Sequence, residues 1–306
     1  MQWQSNKISP LYRVANENVA RDLAPRRNSA SGAIPLALGL RHKGGKAGGV
    51  MLELISAGLP AQFFAAALAV TLFAGFVKGA VGFAMPMILV SSLAVFLPQE
   101  LALAGLMLPT LVTNISQAFR QGVGPARQTA RTYRRFLIAM VVFTAVSAPF
   151  AGVIPRTAYL LMLGLPITAF AALQLMGRSL AIKLHHRDRA EWGLGVVGGL
   201  YGGVSGIWGP PLLVFLLSTG AEKVQAIRAQ GVVFLIGAVA LLASHLGTGL
   251  ANPQSLAFSA ALCLPALAGL YLGYLVQGRL DQARFRRWTQ GLLVLTGLNM
   301  VRQALV

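Results

Sequence analysis

Long apolar stretches alternate along the chain with short polar connections. Stretches that contain no Asp, Glu, Lys or Arg cover residues 101–119, 136–154, 158–177, 229–247 and 255–277. Each meets or approaches the roughly 20 residues that a helix needs to cross a hydrocarbon core of about 30 Å. Because backbone groups in lipid must be hydrogen-bonded internally, and these stretches are too long and too uniformly apolar for barrel strands, they predict membrane-spanning helices. The predicted fold class is all-α.

Composition supports a membrane protein. Hydrophobic residues make up 56% of the 306 residues and charged residues only 11%, against about 25% charged in a soluble globular domain. The single cysteine, Cys263, lies inside an apolar stretch, so neither a disulfide framework nor a thiolate metal site is expected. No cofactor is predicted. The sequence has no phosphate-binding loop motif, which argues against transport driven directly by ATP hydrolysis.

The net charge of +18 follows the topology of a membrane protein, not a nucleic-acid surface. Basic residues concentrate in the connections 121–135, 178–191 and 278–287, whereas 155–157 and 248–254 are poor in them. Basic connections face the cytoplasm in membrane proteins. The first three connections are therefore predicted to be cytoplasmic and the other two to face outward.

Three regions follow from this pattern. Residues 1–50 carry eight Lys or Arg against two acids and are predicted to be a disordered basic tail, with Met51 as an alternative start. Residues 55–180 and 190–306 are predicted to form a first and a second membrane repeat. The predicted sides give the two repeats the same helix order with opposite orientation, which is an inverted repeat of about eight (seven to ten) spanning segments.

A glycine and proline motif recurs in the two repeats. Four positions share one spacing, each second copy 124 residues after the first: Gly75, Gly79, Gly82 and Pro86, then Gly199, Gly203, Gly206 and Pro210. If the repeats are inverted, the chain must enter the segment 61–77 from the outside, whereas the basic tail before it is expected to lie in the cytoplasm. A start at Met51 removes most of this conflict; otherwise residues 61–97 cross an odd number of times.

The repeated motif predicts a broken helix in each repeat. Segments 192–206 and 207–219 are short for spans, and the Gly-Pro-Pro sequence at 209–211 cannot continue a helix. Paired interruptions in corresponding places point to the midplane site of a transporter, and amides at half-helix N-termini suit an anion. The alternative for the first two glycines of each motif is close helix packing through small residues.

Lys78 lies inside the first motif, where the second has Gly202. A buried ammonium is costly in a membrane and usually functional; the alternative is a lysine that extends to the membrane surface. The predicted substrate-binding residues are Lys78, Gly79, Gly82, Pro86, Asn114, Gly203, Ser205, Gly206, Trp208 and Pro210. Softer candidates are Thr110, Thr113, Gln117 and Tyr201. No Asp or Glu lies deep in a predicted span, so a carboxylate proton relay is not expected.

The motif segments resemble the sulfite exporter TauE/SafE family of membrane permeases. The resemblance is carried by three sequence segments: GFVKGAVGFAMP at residues 75–86, GGLYGGVSGIWGPP at 198–211 and GLYLG at 269–273. The resemblance covers roughly residues 55–306. It implies seven to nine spanning helices in two repeats and transport of small organic or sulfur-containing anions. The family often has glycine where this chain has Ala84.

These observations predict a secondary permease or exporter in the cell (inner) membrane, with a small anionic substrate, by alternating access. One alternative is a rhomboid-like intramembrane serine hydrolase that would use Ser205 and His245, since Gly203-Val-Ser-Gly206 reads as GxSG. Another is a non-transporting scaffold or a channel. The choice of anion, the direction of flux, the coupling ion and the oligomeric state stay open at this point.

Overall fold

The computed structural model describes residues 53–182, 186–277, 279 and 281–306. The prediction of a disordered tail over residues 1–50, with its alternative start at Met51, lies outside the described residues.

The described part of the chain is helical and contains no strand. In chain order its α-helices are α1 (Ala61–Val81), α2 (Met85–Leu93), α3 (Gln99–Phe119), α4 (Val123–Thr132), α5 (Arg134–Ser147), α6 (Arg156–Leu175), α7 (Arg187–Ser205), α8 (Gly209–Ser218), α9 (Lys223–Thr248), α10 (Pro253–Val276) and α11 (Gln282–Leu305). A 3₁₀ segment, Ala148–Gly152, extends α5.

Six helical segments of the described chain are long and apolar enough to cross a membrane. They are α1, α3, α5 with its 3₁₀ extension, α6, α9 from Val224 onward, and α10. The five uncharged stretches of the sequence fall on five of these segments. Helices α7 and α11 have 19 and 24 residues but are more polar. The all-helical, polytopic prediction is confirmed, and a total of about eight spans stays a prediction.

Two helical hairpins form at the repeated motif. Helix α1 ends at Val81 and α2 begins three residues after Gly82, whose φ is +88°. Helix α7 ends at Ser205 and α8 begins three residues after Gly206, whose φ is +70°. Glycine ends a helix in this left-handed conformation without a Cβ penalty. A proline in the first turn of each following helix fits because it needs no amide hydrogen there. We call α1–α2 the first hairpin and α7–α8 the second hairpin.

Both ends of the first hairpin lie at the end of the bundle predicted to face outward. Ala57, just before α1, lines one cavity together with Gly152 and Thr248. Arg156 Nη2 donates to the carbonyl oxygen of Ala94, just after α2, at 3.4 Å. The first hairpin therefore enters the bundle and returns to the same end, whereas the side of the membrane on which the basic tail lies stays a prediction.

The second hairpin enters from the opposite end. Glu191, near the start of α7, accepts hydrogen bonds from the amides of Arg135 and Phe136 at 3.2 and 3.3 Å. The amide of Ile182 donates to Ser218 Oγ, at the end of α8, at 2.8 Å. Both ends of this hairpin thus lie at the connections predicted to be cytoplasmic.

Each long hairpin helix packs against one spanning helix through glycines. A Cβ at Gly79 would lie 2.2 Å from the Leu270 carbonyl oxygen in α10, and a Cβ at Gly203 would lie 2.1 Å from Ser147 Oγ in α5. Such distances leave no room for a side chain. Glycines with contacts of this kind are Gly75 and Gly79 in α1 and Gly199 and Gly203 in α7. Close helix packing, the alternative raised for these four glycines, is what the structure has.

The connection 121–135 differs from the sequence expectation because it contains a helix, α4. Its residues are largely exposed, but Thr129 is buried and its Oγ1 accepts a hydrogen bond from Arg228 Nε at 2.8 Å. The short amphipathic helix was missed because its few apolar residues are too widely separated by charges to resemble a span.

The glycine contacts generate a stability prediction. Replacing Gly79→Ala should destabilise the protein by about 1–3 kcal/mol because the new methyl group overlaps the α10 backbone. Gly193→Ala, at an exposed position of α7 with open space around it, should be neutral or slightly stabilising. Thermal unfolding of the detergent-solubilised variants measures both effects. Equal melting temperatures for the two variants would contradict the packing described.

Candidate functional site

The two hairpin breaks meet at a shared cavity. Its lining from the first break is Phe83, Ala84, Pro86 and Met87, and from the second break Ile207, Trp208 and Gly209. Phe170 of α6 and Phe234 of α9 complete the wall. The space open to water is only about 10 Å³, close to the minimum that holds one water molecule. In this conformation the cavity is therefore too small for an oxyanion.

Trp208 fills a slot made by two glycines. Its side chain is 1% exposed, and a Cβ at Gly202 or at Gly237 would lie 2.0 or 2.8 Å from indole atoms. The indole Nε1 donates to Thr144 Oγ1 at 3.4 Å, a long hydrogen bond. The sequence singled out Trp208 but not Gly237, since no local pattern marks a glycine that only the fold brings against the indole.

Lys78 is fully enclosed, one helical turn before the first break. Its side chain is 1% exposed, so it does not extend to the surface as the alternative interpretation required. The ammonium donates to Thr113 Oγ1 at 3.0 Å and to Asn114 Oδ1, both in α3. No Asp or Glu forms an ion pair with it among the described residues. A buried cation without a carboxylate carries a large desolvation penalty.

Unpaired polar groups lie close to the hydrogen-bond partners of Lys78. Thr113 donates its own hydroxyl hydrogen to the Pro109 carbonyl oxygen at 2.7 Å, so its Oγ1 serves the lysine only as an acceptor. The Nδ2 group of Asn114 and the hydroxyl of Thr110 are buried without a partner among the described residues. Unsatisfied buried donors beside an uncompensated cation favour an anionic ligand.

Gln117 ties the first break to two spanning helices. Its Nε2 donates to the carbonyl oxygens of Gly82 and of Ile227 in α9, both at 2.9 Å. A carbonyl at a helix break would otherwise be unpaired at membrane depth, which costs several kcal/mol. The sequence placed Gln117 only among the softer candidates, and the structure gives it this supporting role.

The two repeats have different side chains at equivalent positions near the breaks. At the 124-residue offset, Lys78 corresponds to Gly202 and Thr113 to Gly237, while Ala84 corresponds to Trp208. In the first repeat, the lysine bonds to Thr113 and a small alanine stands at the break. In the second repeat, the two glycines admit the indole. Lys78 therefore has no charged counterpart in the second repeat.

The first turn of α2 is the better amide donor of the two half-helices. The first amides of a helix have no intrahelical acceptor, which in α2 leaves those of Met85 and Met87 because Pro86 has none. In α8 two prolines, Pro210 and Pro211, remove two amides of the first turn. Neither helix has a side-chain cap. The amides at the cavity and the ammonium thus belong to the same, first repeat.

The remaining predicted site residues have structural positions at the breaks. Gly82 and Gly206 form the left-handed ends of α1 and α7, each donating its amide to the carbonyl oxygen four residues earlier at 2.7 Å. Pro210 lies in the first turn of α8. Gly79 and Gly203 lie on the helix-packing faces described above. Of the ten predicted residues, Pro86 and Trp208 line the cavity directly.

Ser205 stabilises the second break. Its hydroxyl donates to the Tyr201 carbonyl oxygen at 2.6 Å and accepts the Ile207 amide at 3.1 Å. His245 Nδ1 lies 3.4 Å from Thr248 Oγ1, one turn along its own helix. Among the described residues, no hydrogen bond joins the serine to the histidine, so the nucleophile–base contact that a serine hydrolase needs is missing here.

Comparison with known protein families assigns the fold. The family described as Sulfite exporter TauE/SafE matches residues 67–300, a range that contains both hairpins and the cavity. The chain belongs to this family. Membership, together with the six apolar helices, identifies it as an integral, multi-pass membrane transporter. No curated protein and no solved structure matches the chain.

Where relatives in the TauE/SafE family often have glycine, Ala84 of this chain has a left-handed backbone with φ +77°. Because this conformation costs an L-residue about 1–2 kcal/mol, Ala84→Gly should raise the melting temperature. Ala102→Gly, inside α3, should lower it by removing a good helix former. Thermal unfolding in one detergent measures both variants. A lower melting temperature for Ala84→Gly would show that the methyl group contributes more through packing than it costs in strain.

Proposed function

We propose that this family member is a secondary permease or exporter for a small anion, a sulfur oxyanion or an organosulfonate, in the cell (inner) membrane. The observation that carries the proposal is the enclosed amino group of Lys78, which has no carboxylate partner among the described residues and lies next to the break of the first hairpin. A permanent internal counter-charge would be expected if Lys78 were structural. An anion that enters the site supplies that charge transiently.

The proposed cradle uses both breaks. The amides at the start of α2 and Gly209 at the start of α8 would direct partial positive charge at the anion, as half-helix ends do in other transporters. Lys78 and Asn114 would provide positive potential and a hydrogen-bond donor from the side of α3. Trp208, with Phe170 and Phe234, would exclude water around it.

Helix packing supports the proposal of an inverted repeat. The 124-residue offset relates α1 to α7 and α5 to α10, and accordingly α1 packs extensively against α10 just as α7 packs against α5. The offset also relates α3 to α9 and α6 to α11, and in each of these two pairs the related helices pack against each other. In the proposed arrangement α3, α5, α6, α9, α10 and α11 cross the membrane, and counting the long helix of each hairpin with them gives eight membrane segments. Two hairpins that enter from opposite ends and share one closed cavity suit alternating access by rocking of one repeat against the other.

A cavity of about 440 Å³ at the predicted outer end supports an access route from that side. It is lined partly by the α9–α10 connection and by the start of α3, and Glu100 is an acid on its wall. Rocking that separates the hairpins would join this cavity to the central one. Because its wall carries an acid, this cavity would not bind an anion tightly. It would therefore serve as an access route and not as a binding site.

Flux of labelled sulfite, thiosulfate and methanesulfonate into proteoliposomes tests the proposed activity. We expect saturable uptake of at least one of these anions, with competition by the others. Flux that does not saturate would indicate a channel. No flux of any of the three anions would contradict the proposed substrate class.

Lys78→Gln tests the role of the ammonium. Hydrogen bonds to charged groups contribute about 1.5–3 kcal/mol, so kcat/KM for the transported anion should fall about tenfold to a hundredfold while membrane insertion is retained. Arg127→Gln, on the exposed face of α4, removes the same charge away from the cavity and should transport normally. Unchanged kinetics for Lys78→Gln would remove the lysine from the mechanism.

A further inference from the structure

The hydrogen bonds around Lys78 point to the coupling ion. We propose that Lys78 binds one proton together with each anion and releases both on the other side, so that the protein is a proton–anion cotransporter. The proposal rests on the proposed function and concerns the same site.

The acceptors around the lysine match a neutral amine when the site is empty. The two groups that receive hydrogen bonds from Nζ are Thr113 Oγ1 and Asn114 Oδ1. A neutral amine has two N–H groups, whereas an ammonium has three. Among the described residues nothing accepts the third hydrogen. An oxygen atom of a bound anion would supply that acceptor, and its charge would compensate the ammonium.

The surrounding helices provide no titratable group that could take over this role. Helix α2 has none, and Glu100 lies at the far end of α3, about 20 Å from Asn114 at about 1.5 Å per residue. On α10 the groups are Cys263, Tyr271 and Tyr274, and the ring of Tyr274 lies against Arg120, whose Cζ is 4.1 Å from the ring centroid. The titratable residues of α11 are arginines: Arg284, Arg286, Arg287 and Arg302.

The burial of Lys78 explains why the proton must leave with the anion. Its side chain is 1% exposed, so bulk water does not solvate the amine in this conformation. An ammonium left at this position without its anion would be desolvated and unpaired, which is costly at membrane depth. The empty protein therefore changes its orientation with a neutral Lys78. In balanced form, a neutral amine, one proton from water and one anion give the ammonium–anion pair, and the reverse happens on the opposite side.

This stoichiometry has an electrical consequence. For a monovalent anion the moving complex carries the anion and one added proton, so their charges cancel. A pH gradient would drive accumulation, and a membrane potential alone would not. Methanesulfonate is the useful probe because it remains a monovalent anion throughout the neutral pH range, whereas sulfite itself exchanges a proton there.

Proteoliposomes that contain the pH indicator pyranine test the coupling directly in the wild-type protein. An inward methanesulfonate gradient should acidify the interior, and an inward proton gradient should drive methanesulfonate above equilibrium. A potassium diffusion potential with valinomycin at equal pH should leave uptake unchanged. Uptake without internal acidification, or uptake driven by the potential alone, would overturn the cotransport proposal while leaving the permease proposal intact.

The variant Lys78→Arg distinguishes two steps of the transport cycle, the binding of the anion and the reorientation of the protein without an anion. A guanidinium keeps its proton, so it can still pair with the anion but cannot become neutral. We expect loss of net methanesulfonate uptake with retained exchange of labelled for unlabelled methanesulfonate. Arg127→Lys, at an exposed position, should show both activities. Normal net uptake by Lys78→Arg would contradict the proposal.

Two further outcomes are distinguishable. If Lys78→Arg fails to fold, the wild-type pyranine experiment still decides the coupling. If the wild type moves none of methanesulfonate, sulfite and thiosulfate, the proposed function itself fails, and the coupling proposal fails with it.

Discussion

The constraint on which this structure depends is that a backbone group in lipid must be hydrogen-bonded. Two helices stop inside the bundle, and each stop would leave amides and carbonyls unpaired. The protein meets this requirement locally at Gly82 and Gly206, which return their amides to the preceding turn, and at Gln117, which donates to the Gly82 carbonyl oxygen. The first amides of α2 have no intrahelical acceptor, and Pro86 and Met87 of its first turn line the cavity between the breaks. The same interruption would therefore supply the amides of the proposed anion site.

The second organising feature is an asymmetry within a repeated framework. Both long hairpin helices are held against a spanning helix through glycine contacts that admit no side chain. At the cavity, however, the first repeat has an enclosed lysine and the second has Trp208 in a slot between two glycines. A symmetric pair of lysines would place two cations near one cavity, where their repulsion would add to the desolvation cost. One cation and one indole would suit the proposed single anion position, with an apolar wall on the side of the second repeat.

Much of this arrangement could be predicted from the sequence because its signals are local. Uncharged stretches locate five of the spanning helices. The repeated spacing locates both breaks, since glycine favours the left-handed end of a helix and proline fits the first turn of the next one. The sequence also marks Lys78, because a charge inside an apolar motif is conspicuous. Phe170 and Phe234 of the cavity wall could not be predicted, since aromatic residues in apolar helices carry no signal of what they face. The roles of Gly79 and Gly203 also required the structure, because small residues serve close packing and ligand approach alike.

In the proposed topology the two hairpins enter from opposite sides of the membrane and meet at one site. The most direct measurement is labelling with a membrane-impermeant thiol reagent in a Cys263→Ser background, with single exposed positions changed one at a time. Glu53→Cys and Val95→Cys flank the first hairpin, and Arg189→Cys and Glu222→Cys flank the second. We expect that in intact cells the first two positions are labelled, and that the second two react only after the membrane is opened. Labelling of all four from the same side would contradict it.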